Sequence, residues 1–355
     1  MIIYKIHCFD KADDKMKRYL LPENGAFYKA NLHCHSTISD GKATPEELKA
    51  LYMEKGYSVL AYTEHDIMIP HPELADEEFL PLSGYEMEFN DETDEGKAIR
   101  RTCHLCFIAP TLTDTKQVCW HRKKYLFGNA PNYRDAANID ECIPDFERTY
   151  SPECINEAIK TAKDAGYFVT YNHPTWSREA YPQYTRYEGF DALEIMNYCS
   201  QVAGYDDYNP RVYDDLLSCG KRIAVTGGDD NHNGKPKDSN AYDAFGAFTM
   251  IKAEKLDYDS VFSALVKGDF YASEGPLINA LWYENDIVYV ETSDAYSITF
   301  VTNSRPNRTK MAEGDTQITS AFFGVAPQDD YFRIVVLDKF GKHACSRAYF
   351  VDEIK

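Results

Sequence analysis

The chain has 355 residues, 44% of them hydrophobic and 14% aromatic, enough apolar surface for a large packed core, which excludes global disorder. Its formal charge of −19 repels a phosphate backbone and argues against a partner in long nucleic acid. A small anionic substrate remains open, because bound metal ions reverse the field locally.

No run approaches the ~18 apolar residues of a membrane span, and "MIIYKIHCFDKADD" lacks the basic and then apolar stretches of an export signal. The 10 cysteines are scattered, so they are expected to be free and buried in a soluble cytoplasmic chain with no membrane partner.

In chain order, "FYKANLHCH" ends a strand and "ATPEELKALYMEKG" follows as a helix. There Thr44 is the expected N-cap, Pro45 takes the first helical position, Glu47 completes a capping box and Gly56 stops the helix. "YSVLAYTEHD", "FLPLSGYEMEF" and "TCHLCFIAP" read as strands. Cys103 and Cys106 match C-x-x-C, but three residues apart on a strand they face opposite sides, against a redox or zinc-thiolate pair. Residues 111–150 are a long insert, of the kind that forms lids or short helices.

"SPECINEAIKTAKDAG" is a helix capped by Ser151, and "YFVTYNHP" and "FDALEIMN" are strands. "PRVYDDLLSCG" is a short helix and "KRIAVTGGDDNH" a strand ending in acid and histidine. Strand, polar chemistry at its C-terminal end, then helix is the order of a (β/α) barrel, though a doubly wound sheet has similar local signals. Beyond this region, alternating apolar and polar residues with turn residues between them indicate a small all-β unit. The expected division is a metal-binding barrel over 1–275, carrying the insert, and a β domain over 276–355.

The predicted strand ends collect imidazoles and carboxylates: His33, His35, Asp40, His65, Glu86, His104, His173, Asp230 and His232. His33 and His35 are two apart, so the pleat turns both to one side, and Asp230 and His232 repeat that spacing. These are the ligand types that zinc, manganese and iron take. Nine of them exceed the needs of one ion and suggest two to three divalent metals as cofactors. His7, His71, His121 and His343 are read instead as hydrogen-bonded structural histidines. Burying so many titratable groups unpaired would be prohibitively costly.

"HCHSTISDG", "TEHD", "GYE", the histidine of "CHLCF", "NHP" and "GDDNH" occur in the order found in the polymerase and histidinol phosphatase (PHP) family, which the chain resembles over most of residues 30–275. The resemblance implies a distorted (β/α)7 TIM-like barrel with up to three metals. It implies that His33, His35, Glu86 and Asp230 hold the first metal. Glu86 would bridge to a second completed by His104 and His173, with Asp40, His65 and His232 at the third. Where the family often has Ser-Asp-x-His, this chain has Asp229 in place of the serine. The barrel with a β-rich tail resembles the free-standing metallohydrolases of the family more than its polymerase-attached forms.

The expected function is therefore metal-dependent hydrolysis of phosphoesters in a small phosphorylated metabolite, such as a sugar phosphate or nucleotide. Amide or carbamate hydrolysis on the same scaffold, or a non-catalytic metal-bound protein, are the competing readings. Asp66 and Glu194 are expected to orient ligands or carry a proton. Trp176 and Arg178, which follow His173, are candidates to stack on and pair with substrate. Arg122 and Lys123, in the basic "HRKK" run of the insert, are candidates to read a phosphate.

Overall fold

The computed structural model describes residues 17–92, 98–305 and 307–355; His7 lies outside them. The first half runs β1 (Arg18–Tyr19), β2 (Ala26–Asn31), α1 (Pro45–Glu54), β3 (Val59–His65), β4 (Leu80–Glu92) and β5 (Ile99–Ile108). It continues with α2 (Pro152–Asp164), β6 (Phe168–Tyr171), β7 (Ala192–Asn197), α3 (Tyr198–Val202), α4 (Pro210–Ser218) and β8 (Ala224–Gly228). Next come β9 (Phe248–Ala253), α5 (Tyr258–Lys267), β10 (Phe270–Ser273), β11 (Ile278–Glu284), β12 (Ile287–Ala295) and β13 (Ser297–Thr302). The chain ends with β14 (Arg308–Met311), β15 (Ile318–Gly324), β16 (Tyr331–Leu337), β17 (His343–Ser346), β18 (Tyr349–Phe350) and α6 (Val351–Ile354).

Local chemistry starts the helices where the sequence places them. Thr44 Oγ1 accepts from Glu47 N at 3.2 Å while Glu47 Oε2 accepts from Thr44 N at 2.8 Å, a complete capping box. Ser151 Oγ accepts from Cys154 N, and Ile155, Ala158, Ile159 and Ala162 form the buried stripe of α2. Full burial of each isoleucine there contributes on the order of 1.5–3 kcal/mol.

The molecule is mixed α/β. Its large sheet has the order β14-β13-β16-β17-β10-β9-β2-β3-β4-β5-β6-β7-β8. Pairing is parallel in β2–β3–β4 and in β6–β7–β8, and antiparallel elsewhere. A strict strand–helix alternation therefore fails in the middle. Among the described residues no α-helix lies between α1 and α2, because β4 and β5 form one long antiparallel ladder. The β3–β4 connection carries only a short 3-10 turn, Pro72–Leu74. The two ends of the β2-to-β8 run meet: Asp230 N donates to His33 O at 2.9 Å and His35 N to Asn231 O at 3.1 Å.

A second sheet, β1-β11-β12-β15, packs against the C-terminal strands. Leu281, Val288, Val290, Phe300, Phe323, Phe332 and Ile334 form the core between them. β1 belongs to this sheet although it precedes β2. The large sheet crosses residue 275 without a break, since β10 pairs with both β9 and β17.

The insert is anchored over the loops after β2 and β3. Trp120 and Ala130 share a small core with Ile38 and Ile67. Gln117 Nε2 donates to Asp66 O, and Asn129 N donates to Ser39 O at 2.7 Å. Gly128 has φ +60°, and a Cβ there would lie 2.3 Å from Ser39 O, so only glycine permits this approach. Its one ordered helical piece is the 3-10 turn Ala130–Ala136.

Candidate metal centre

Beyond Asn31 the chain stays extended, Cys34 bridging Asn231, so His33 and His35 face the same way. Their Nε2 atoms lie 3.2 and 3.1 Å from one oxygen, Asp230 Oδ1. β3 ends at His65, which the parallel register sets beside Glu86 of β4. His173 follows β6, and Asp230 and His232 follow β8. Glu86 and His104 depart from the expected position at strand ends: both lie inside the β4–β5 ladder, which continues past the site.

Donor atoms from these residues converge in three overlapping groups, each with its atoms within 4.8 Å of one another. The first is His33, His35, Glu86 and Asp230; the second is Glu86, His104 and His173; the third is His35, Asp40, His65 and His232. Glu86 joins the first two: its Oε1 lies 3.1 Å from His33 Nε2, 3.0 Å from His104 Nδ1 and 3.2 Å from His173 Nε2. Its Oε2 reaches toward the third, 3.3 Å from His65 Nδ1. Asp40 stands 3.7 Å from His65 Nε2 and 3.4 Å from His232 Nε2.

The donor set fits divalent cations. His33 Nε2 and both ring nitrogens of His35 are buried without a hydrogen-bond partner, although carboxylate oxygens stand 3.1–3.5 Å from the two Nε2 atoms. Two atoms each ~2.1 Å from an ion at a tetrahedral angle are ~3.4 Å apart, so the spacing suits ligands around a shared ion. Protons alone satisfy the cluster poorly. His35 stacks on His65 at 4.2 Å and on His232 at 4.5 Å, and adjacent imidazolium rings repel.

The electrostatics are polarised accordingly. Burial would raise the Glu86 carboxyl, but His33 and His104 hold it well below the usual carboxylate range. Burial likewise opposes the lowering of Asp230 by His33 and His35. Burial would lower His173, yet Glu86 raises it to about 9. His65 falls well below its ordinary value through burial and then the charge of His35.

Outside the donors, Glu194 Oε1 lies 3.0 Å from His33 Nδ1, and its Oε2 accepts from His173 N and Asn197 Nδ2. A proton on His33 Nδ1 directed to Glu194 leaves Nε2 with its lone pair toward the cluster. Gly228 makes room for this: a Cβ there would meet Glu194 Oε1 at 2.7 Å and His33 Cβ at 3.0 Å. Asp230 and His173 take positive φ of 53° and 27°, uncommon for non-glycine residues and frequent where function fixes a side chain.

Asp66 does not meet a cluster histidine through its carboxylate. It is buried against Arg148, with Oδ1 2.6 Å from Nη2, and burial raises it to about 6. Asp229 turns away from Asp230 and accepts from Phe245, Gly246 and Ala247 N and from Tyr52 OH.

Trp176, 38% exposed, packs at the mouth with ring centroids 5.3 Å from His104 and 5.0 Å from His173. Arg178 lies over the Tyr205 ring, at 5.0 Å. The basic run of the insert is committed locally. Arg122 pairs with Asp145 at 2.7 Å and Glu141 at 3.3 Å, and Lys124 with Glu147 at 2.7 Å. Lys123 N donates to His121 Nδ1. The run closes the insert on itself, with Arg122, a candidate to read a phosphate, engaged by carboxylates of the same insert.

The histidines read as structural lie outside the three groups. His71 sits 3.1 Å from Glu73, His121 3.1 Å from Glu147, and His343 stacks on Tyr208 at 4.3 Å.

Several supporting residues escaped sequence reading. Glu64 is buried and accepts from Ser36 N, Ser39 N and both serine hydroxyls, holding the loop that carries Asp40. Asn172 Nδ2 donates to Glu86 Oε1 at 2.9 Å, and Asn197 Nδ2 to Asp230 Oδ2 at 3.3 Å. Phe127 of the insert, 54% exposed, meets the His65 ring edge-on at 5.6 Å. Glu64 had a signal, a charged residue ahead of His65 in an apolar strand; Phe127 had none, since its place depends on how the insert folds back.

No family model matches the chain, and no curated protein does. Among solved structures it is similar to a two-domain protein of Bacteroides vulgatus containing a predicted PHP-like metal-dependent phosphoesterase. That match has 14% identity and a TM-score of 0.44, covering 94% of this chain and 98% of that one. A proposed metal-dependent phosphoesterase of Bifidobacterium adolescentis matches at 20% identity and TM-score 0.37, over 62% and 93% of the two chains. An amidohydrolase of Chromobacterium violaceum, solved with sulfate and no metal, matches at 16% identity and TM-score 0.36, over 57% and 87%.

Proposed function

We propose that this protein is a metal-dependent hydrolase of phosphoesters in small metabolites, a sugar phosphate or a nucleotide, built on a distorted TIM-like barrel. The observation that carries the reading is the convergence of nine imidazole and carboxylate donors in three groups that share His35 and Glu86. The meeting of the β2 and β8 ends supports the barrel, and free thiols among the described residues suit a cytoplasmic setting.

His33, His35, Glu86 and Asp230 would hold one ion, Glu86, His104 and His173 a second, and Asp40, His65 and His232, with His35, a third. Zinc, manganese or iron bound there would supply Lewis acidity and lower the pKa of coordinated water to about 7. The chain's own residues fix the frame. Glu194 orients His33 and the His173 backbone, while Asn172 and Asn197 steady Glu86 and Asp230. Trp176 and Phe127 border the mouth, where they exclude water from one side each and offer ring faces or edges to a substrate.

Carbonyl substrates form a second reading, favoured by one observation: Arg122 and Lys124 of the insert are consumed by carboxylates rather than held for a phosphate. The deciding experiment is phosphate release from a panel of phosphomonoesters and nucleotides by protein loaded with Mn²⁺, Zn²⁺ or Fe²⁺, beside an Asp230→Ala control. Release that disappears in the control is the expected result. A metal-loaded protein that releases no phosphate but cleaves amides or carbamates would replace the phosphoester reading with the carbonyl one. A metal-loaded protein that does neither would favour a binding role.

A further inference from the structure

Beside the third donor group lies a cleft of about 490 Å³, bounded by the exposed side of α1 and the loop after His232, within the size range of small-molecule sites. Lys42, Lys235 and Lys237 line it together with Asn233, Leu51 and Tyr242. One end of it adjoins the loops that carry two of the donors: Lys42 N donates to the backbone oxygen of His232 at 2.8 Å, Lys42 Nζ donates to the backbone oxygen of Asp40 at 2.9 Å, and Asn233 follows His232 directly.

The charge pattern sets this cleft apart. The chain carries 57 acids against 38 lysines and arginines, so most cations near an acid are paired, as Arg122, Lys124 and Arg148 are. Lys235 and Lys237 form no ion pair with a carboxylate among the described residues. Three lysines face two acids on the cleft wall, which leaves an excess of positive charge. Glu47 accepts from Thr44 N in the capping box, and Glu54 lies 3.9 Å from Lys55 Nζ. Tyr242 OH accepts from Asn233 Nδ2 at 2.8 Å, which holds the loop against the wall and keeps the lysines on it.

We infer that this cleft is the subsite for a second anionic group of the substrate, so the site takes metabolites carrying a carboxylate or phosphate besides the group held at the metals. The inference rests on the proposed reading of the cluster as a metal site for phosphorylated compounds, and it names the part of the substrate that reading leaves open. Leu51 and the Tyr242 ring line the cleft between the lysines and suit a short carbon skeleton joining the two anions. Binding of the second anion is the same in ground and transition states, so it acts on KM more than on kcat.

The test uses non-hydrolysable probes, so that it is separate from turnover. Calorimetry on the metal-loaded full-length protein compares phosphonoacetate, 3-phosphonopropionate and 4-phosphonobutyrate with alkylphosphonates of equal chain length. The wild type is expected to bind at least one carboxylated probe roughly 10-fold more tightly than its alkyl counterpart, the scale of two exposed charge pairs. The double variant Lys235→Ala, Lys237→Ala should lose that preference while binding the alkylphosphonates as before. Equal binding within every pair in the wild type would overturn the inference, as would a preference that survives in the variant. Failure of phosphate release in the panel described above, with the probe preference intact, would count against the phosphoester reading alone.

Discussion

At the scale of residues, the site depends on groups that touch one another more than on any one ligand. His33 can place a lone pair toward Glu86 and Asp230 only if its other nitrogen is held, and Glu194 stands 3.0 Å from that nitrogen. Replacing Glu194 by glutamine removes the charge while keeping the size. Such supporting partners are worth 10–100-fold in metal affinity, so Glu194→Gln should lower the affinity for Zn²⁺ by roughly 10-fold or more. Competition with a chromophoric chelator measures it; unchanged affinity would mean that the backbone alone orients His33. The spacing His33-x-His35 is legible in the sequence because the period of a strand is two. The partner of His33 is not, because Glu194 is 161 residues away.

Elements carry the next level of organisation. The insert is tied to the β3 end by the buried pair of Arg148 and Asp66, whose side chains are 6% and 2% exposed. Arg148 also donates to Glu88 O, while its guanidinium lies 4.2 Å from the Tyr125 ring centroid. Removing one partner of a buried pair leaves a desolvated charge and costs about 3–5 kcal/mol. Arg148→Ala should therefore lower the urea midpoint by that equivalent at pH 7.5 and loosen the insert, read as faster amide exchange at residues 117–130. A loss below 1 kcal/mol would show that the insert's small core holds it unaided. From sequence the insert was a long segment of open fate, since short loops and isolated basic residues have no period to read. By contrast α1 and α2 start where Thr44 and Ser151 predict, because a cap is a local contact three residues long.

For the whole molecule, the question is how the C-terminal strands relate to the part that carries the donor cluster. β17 pairs with β10, Ala348 N donates to Tyr213 OH at 2.8 Å, and Arg333 pairs with Asp214 at 2.9 Å. Cutting the chain after residue 275 would strip these partners and expose β10 as a bare edge. The fragment 1–275 is expected to be aggregated or unfolded by circular dichroism; a soluble, cooperatively melting fragment would show that the two parts are independent. Metal should contribute on the same scale. An ion at 100-fold above its Kd stabilises the native state by about 2.7 kcal/mol, so exhaustive chelation should lower Tm by roughly 4 °C for each ion removed, reversed by adding Zn²⁺ or Mn²⁺. A Tm insensitive to both would argue against metal occupancy.

The sequence by itself determined the features with a short range. These are the helix caps, the strands that lead into His33, His173 and Asp230 and end at His65, the types of candidate donor, and the sidedness of residues two apart. Tertiary structure alone decided what depends on distant chain segments meeting. It put Glu86 between His33, His104 and His173, turned Asp229 and Asp66 away from the cluster, and committed Arg122 to Asp145. It also put the otherwise unremarked Lys235 and Lys237 on a cleft beside Asp40 and His232. The reason is physical: caps and pleats are set within a few residues, whereas the partner of a buried charge is whichever group the packed chain brings within a few ångströms.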